Sequence, residues 1–157
     1  MRIISMRSQN LKFALVLLLS VAVLTTLVIV VPNAESSAAD AKISYSDIYT
    51  SADRVSFISK FGWEVDESRY DEISVSIPAE FDENMRRYNE IQLSQGLDLS
   101  RYRGKEVVKY TYNVTNFSDY DGAVEINLLI YKNKIVGGDI SSADGNGFIF
   151  GFNGEKV

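Results

Sequence analysis

Histidine and cysteine are both absent from the 157 residues, so chemistry here must come from carboxylates, amines, guanidinium groups and hydroxyls. The missing histidine removes the commonest general base near neutral pH and the commonest metal ligand. The missing cysteine excludes a disulfide framework, a thiolate nucleophile, a thiolate-bound metal and a lipid-modified cysteine. Paired carboxylates could still do acid–base work, as in glycoside hydrolysis. Glu64, Asp66, Glu67, Asp71 and Glu72 cluster around one turn, and Glu80, Asp82 and Glu83 around a helix start. Solvation of a turn and the helix dipole already call for acids at such places, so catalysis is not the expected role. Asp144-Gly145-Asn146-Gly147 begins like a calcium loop, with Glu155 at the twelfth position, but Phe148 and Ile149 occupy its fifth and sixth. Those positions require an oxygen ligand and a glycine, so the segment reads as a flexible turn. No cofactor and no metal are expected.

Two other groups are suited to binding. Arg101, Tyr102 and Arg103 sit in a connector, Leu97–Gly104, and aromatic and arginine side chains on a loop are typical anchors for a protein or glycan partner. The alternative is structural: Tyr102 packs over the sheet and the arginines pair with acidic surface. Asp139 follows Gly137-Gly138. Two glycines in a strand mark a bulge or a close backbone approach, which would aim Asp139. The sequon patterns at Asn113 and Asn116 are explained by turn-forming asparagine.

The elements that must carry these residues are legible in part. Thr50-Ser51-Ala52-Asp53 looks like a capped helix start; Val55, Ile58 and Phe61 keep helical spacing, Phe57 faces Phe61, and Gly62 stops the helix. Trp63-Glu64-Val65 reads as extended. Ile73–Ile77 alternates as a strand with one buried face, ended by Pro78. A second helix is expected over Asp82–Gln95, with Phe81, Met85, Tyr88 and Gln92 on one face and Gly96 as cap. Alternation then marks strands at Val108–Val114 and Val124–Tyr131. The latter becomes solidly apolar, as a central strand does. A tight turn at Lys132-Asn133-Lys134 leads into Ile135-Val136, and Phe148, Phe150 and Phe152 suggest a short last strand. Helices grouped ahead of a meander predict an α+β domain over 45–157, with a mainly antiparallel sheet and two helices packed on one face.

Ahead of that domain, Phe13–Val31 runs nineteen residues without a charge, roughly 28 Å of helix and close to the hydrocarbon thickness of a bilayer. Arg2, Arg7 and Lys12 precede it, and Glu35 and Asp40 follow. Basic flanks stay in the cytoplasm, so the expectation is a single-pass cell-membrane anchor over 1–32 with the C-terminal domain outside and 33–44 as linker. A signal peptide cleaved near Ala39, within Ser37-Ala38-Ala39, is the alternative. All 21 acids lie beyond Pro32 with 13 of the 16 bases, a net charge of −8 for that part. Such a surface repels nucleic acid and favours a soluble, monomeric domain.

Several stretches, read in order, carry a resemblance. They are Asp53-Arg54-Val55 with Phe61-Gly62-Trp63-Glu64-Val65, Ile77-Pro78-Ala79-Glu80-Phe81-Asp82, and Gln95-Gly96-Leu97-Asp98-Leu99-Ser100 with Tyr102-Arg103-Gly104-Lys105. Tyr110–Asn116 and Asn127–Tyr131 with Ile135–Asp139 complete the set. Over Ala52–Gly151 the chain resembles a family of small bacterial extracytoplasmic domains known as domain of unknown function 4830. The resemblance implies a bacterial origin and an address outside the cytoplasm, and it brings no functional residue with it. The function expected on these grounds is a non-enzymatic module that binds a protein or cell-wall component near the membrane. A carboxylate-dependent hydrolase acting on cell wall or glycan is the alternative.

Overall fold

The computed structural model describes residues 43–144 and 147–155. The run Phe13–Val31 lies outside them, and among the described residues no helix is long and apolar enough to cross a membrane. In chain order the elements are α1 (Ser51–Ser59), β1 (Val65–Ser76), α2 (Glu83–Ser94), a 3-10 turn (Leu99–Tyr102), β2 (Glu106–Val114), β3 (Val124–Tyr131), β4 (Lys134–Ser142) and β5 (Ile149–Phe150). The strands form one sheet in sequence order, and every neighbouring pair is antiparallel. The domain is α+β, as expected.

Local chemistry accounts for the helix ends. Thr50 caps α1: its hydroxyl accepts from the Asp53 backbone N–H while the Asp53 carboxylate accepts from the Thr50 N–H, satisfying two otherwise orphaned donors. Gly62 at φ +83 turns the chain out of the helix. Asp82 caps α2 through the Met85 N–H, and Gly96 at φ +76 follows its end. The hairpin between β3 and β4 places Lys132 and Asn133 at φ 49 and 60, the left-handed pair that a two-residue turn requires.

Three expectations need correction. Trp63-Glu64-Val65 and Ile73–Ile77 do not form separate strands, because β1 runs unbroken from Val65 to Ser76. Nor does Ile73–Ile77 bury one whole face within the strand: Ile73 is exposed, Val75 is half-buried against the core, and Ile77, past the strand end, is fully part of it. The cause is position, since β1 is a sheet edge. The two helices also do not share a face. Ile126, Leu128 and Ile130 of β3 pack with Phe57 and Ile58 of α1 and with Phe152. The alternate residue Leu129 packs with Val107, Val136 and Leu99, against Met85 and Tyr88 of α2. Successive strand residues point to opposite faces, so α1 and α2 cover opposite sides. The solidly apolar β3 demands this, since a strand apolar on both faces needs cover on both.

The Gly137-Gly138 pair does what its sequence implied. Leu129 lies opposite Gly137 and Ile130 opposite Ile135, which leaves Val136 as the extra residue of a bulge. A Cβ on Gly138 would stand 2.3 Å from the Asn127 carbonyl oxygen and 2.4 Å from Cζ of Phe152. Only glycine lets the backbone pass there.

Candidate functional site

Beyond the bulge, Asp139 is directed into the sheet face that α2 covers, and it is only 4 % exposed. Register places Thr111, Asn127 and Asp139 side by side on β2, β3 and β4, and their polar atoms form a chain. The Thr111 hydroxyl donates to Asn127 Oδ1 at 2.7 Å, and Asn127 Nδ2 donates to Asp139 Oδ2 at 2.9 Å. Ser141 donates to the same carboxylate oxygen at 3.0 Å, and the Tyr88 hydroxyl of α2 closes Oδ1 at 2.7 Å. Burial pushes the Asp139 carboxyl above its ordinary range, against the pull of these hydrogen bonds and of the Lys109 charge. Burial and the neighbouring carboxylate push the Tyr88 phenol well up, so it remains a donor. Asp139 is thus closed off from solvent and acts as the rigid end of a polar ladder.

The connector residues are held separately. Asp98 caps the 3-10 turn through the Ser100 N–H and pairs with Arg101 at 3.3 Å, yet the Arg101 side chain is 79 % exposed. Tyr102 packs edge-on against Tyr131 with ring centroids 5.6 Å apart. The Arg103 guanidinium lies 4.5 Å from the centre of the Phe81 ring, a cation–π contact. Asn89 of α2 fastens the segment by accepting from the Leu99 N–H at 2.8 Å. Among the described residues no hydrogen bond or ion pair joins Arg101, Tyr102 or Arg103 to Asp139.

Between β1 and the Asp139 ladder, α2 leaves part of the sheet uncovered. Two adjoining clefts lie there. One, of about 260 Å³, is lined by Arg69, Tyr70, Asp71, Thr111, Asn113 and Glu125. The other, of about 250 Å³, is lined by Asp71, Glu72, Ile73, Lys109, Thr111 and Glu125. Their shared floor, Thr111, is the residue bonded to Asn127 and through it to Asp139. In sequence, Lys109, Thr111 and Asn113 are only the polar half of the alternating strand Val108–Val114. The signal for a site was the matching polar run on the next strand, Glu125 and Asn127, which becomes meaningful once the register is known.

A second surprise is Arg54, only 6 % exposed on α1. Its Nε donates to the Tyr112 hydroxyl at 2.7 Å, and its guanidinium stacks 3.8 Å from the Tyr110 ring centre and 5.0 Å from that of Tyr70. Aromatic faces take the place of a carboxylate as its partners. In the segment that begins like a calcium loop, Asp144 accepts from the Tyr120 hydroxyl at 2.6 Å. Among the described residues no three acidic side chains converge as a metal would require.

The family model for the domain of unknown function DUF4830 matches residues 57–140, from Phe57 in α1 to Ile140 in β4. The chain belongs to the DUF4830 family. No curated protein and no solved structure matches it. The DUF4830 match contains β1 to β4 up to Ile140, both clefts, Asp139 and the connector, and it leaves out Thr50, Arg54 and Phe152. Apart from Ser141, one residue past the match, the site lies within the part that defines the family.

Proposed function

We propose that this DUF4830 protein is a non-enzymatic, extracytoplasmic binding module, held at the cell membrane by Phe13–Val31 or released by cleavage near Ala39, and that its ligand seats on the uncovered polar part of the sheet. One observation supports this most. The two clefts share a floor that is locked in place from beneath, because Thr111 is tied through Asn127 to a buried carboxylate that itself accepts from Tyr88 and Ser141. Rigid polar groups on regular strands lower the ordering penalty of binding. The rim carries both signs, with Arg69 and Lys109 among Asp71, Glu72 and Glu125, which suits a polar or zwitterionic ligand. The hydrolase alternative needs two carboxyls facing one substrate. Asp139 is the acid whose burial raises its pKa, and it is sealed below the surface with its lone pairs engaged.

The connector is retained as a second contact region, on the observation that Arg101 is largely exposed and paired with Asp98 of its own turn. Capture of a partner from native membranes separates the two. Thr111→Arg, which fills the shared floor, is expected to abolish capture by the full-length chain. Arg101→Ala with Arg103→Ala is expected to weaken capture while leaving the melting temperature nearly unchanged, whereas Tyr102→Ala should lower it. Capture undiminished by Thr111→Arg in a folded protein would remove the sheet face as the site.

A further inference from the structure

The sheet has two edges, and they are treated differently. At the β5 side, pairing covers Ile140 and Ser141, and next to it the side-chain amides of α2 and its C-cap stand in for a strand. The Gly138 N–H donates to Gln92 Oε1 at 2.8 Å, and the Gly138 carbonyl accepts from Gln95 Nε2 at 3.1 Å. The outer side of β4 is thereby occupied from Gly138 to Ser141. At the other side, Tyr70–Ser76 of β1 pairs with Tyr112–Glu106 of β2 in unbroken register, and no strand among the described residues pairs with its outer side.

The open stretch has a defined end. Between Val65 and Tyr70 the register shifts, and Asp66 folds back locally, accepting from the Ser68 N–H at 2.9 Å and the Ser68 hydroxyl at 2.6 Å. What remains straight is Tyr70–Ser76, about 23 Å of strand. An open edge normally invites pairing with another copy of itself, and charged side chains are the usual defence. Here the defence has a sign: Asp71 and Glu72 stand on the straight stretch, with Asp66 and Glu67 beside it and Arg69 as the one base. A second copy would bring up an edge of the same negative sign, while a strand bearing lysine or arginine would meet its complement. Tyr70 and Ile73, 41 % and 48 % exposed, lie on opposite faces and offer apolar seats between the charges. Both clefts border this edge, the first through Tyr70 and Asp71 and the second through Asp71, Glu72 and Ile73.

We infer that the partner of this module is a polypeptide, which adds an extended basic segment as a sixth strand along Tyr70–Ser76. The inference rests on the sheet-face reading above, since alternate side chains of the added strand reach the two clefts. Main-chain hydrogen bonds supply affinity in such strand addition, and the alternate side chains supply selectivity.

The test uses the full-length chain in detergent micelles and a synthetic peptide of about nine residues in which lysine alternates with threonine and valine. Two control peptides carry glutamate in place of lysine, or keep the lysines but have alternate backbone nitrogens methylated. The basic peptide is expected to bind and to slow amide exchange at Tyr70–Ser76. The acidic and the methylated peptides are each expected to bind roughly tenfold more weakly or worse. The double change Asp71→Lys with Glu72→Lys should produce a similar loss at unchanged melting temperature. If the methylated peptide binds as well as its parent, charge alone attracts it and the added strand is wrong. If no peptide binds although Thr111→Arg still abolishes membrane capture, the sheet-face reading stands and the strand is again wrong. Self-association of the chain through this edge, seen as slowed amide exchange at Tyr70–Ser76 that Asp71→Lys with Glu72→Lys strengthens, would assign the edge to a second copy and overturn the inference.

Discussion

Asp139 owes its behaviour to where the Val136 bulge and the two glycines put it. Its carboxyl is raised above the ordinary aspartate value of 3.8, chiefly by burial, so folding favours the protonated form. The stability this group contributes is full below about pH 4 and is lost as pH rises through the folded value. The stability of the native chain relative to Asp139→Asn is therefore expected to fall with rising pH across that window, in denaturant titrations run on both proteins. Asp98 provides the opposite sign. Hydrogen bonds from Ser100 hold its carboxyl below 3.8, so its contribution is present above that pH and lost on acidification. A parallel pair with Asp98→Asn should diverge in the other direction. If both comparisons run the same way, the ladder around Asp139 is more solvated than its geometry implies. At the same scale, Gly138→Ala would force a methyl to 2.3 Å from the Asn127 carbonyl oxygen. The strand must then shift, and a loss of about 2 kcal/mol or more is expected from overpacking at a buried position.

At the scale of elements, caps and turns hold the two helices on opposite sides of a sheet that would otherwise leave β3 half uncovered. The Thr50–Asp53 capping box starts α1, and α1 brings Phe57, Ile58 and the stacked Arg54 over the sheet. Thr50→Ala removes the hydroxyl acceptor and should lower stability by about 1 kcal/mol, with the cost appearing as a shifted denaturation midpoint at unchanged m-value. A change in m-value would indicate that α1 had detached and not merely frayed. Tyr88 links α2 to the site directly, because its hydroxyl is the contact from the helix to Asp139. Tyr88→Phe is expected to destabilise the fold by about 1–3 kcal/mol, the penalty of leaving a buried acceptor short of a donor.

For the whole molecule, the charge division about Pro32 and the nineteen-residue uncharged run define the expected address. The protein is expected to fractionate with membranes, and protease added outside wall-stripped cells is expected to digest the C-terminal domain. Full protection of that domain would reverse the proposed orientation. The domain's size permits a core without disulfides, and the two apolar clusters on either side of the sheet supply it.

Composition and local pattern determined by themselves the absence of histidine and thiol chemistry, the acidic surface, and both helices to within about two residues of their ends (α1 stops at Ser59, short of Phe61), because caps and left-handed glycines act over a few neighbouring residues. They likewise determined the β3–β4 hairpin, the glycine bulge and the DUF4830 resemblance. Tertiary structure alone decided what lies next to what. The side-by-side placement of Thr111, Asn127 and Asp139 depends on strand register across residues far apart in sequence, which no local pattern contains. Whether Ile73 is buried depends on β1 being an edge, and whether α2 shares a face with α1 depends on which side its connection crosses. The same geometry made Arg54 a buried residue: an arginine in a helix reads as solvated until three tyrosines from two neighbouring strands are seen to close around it.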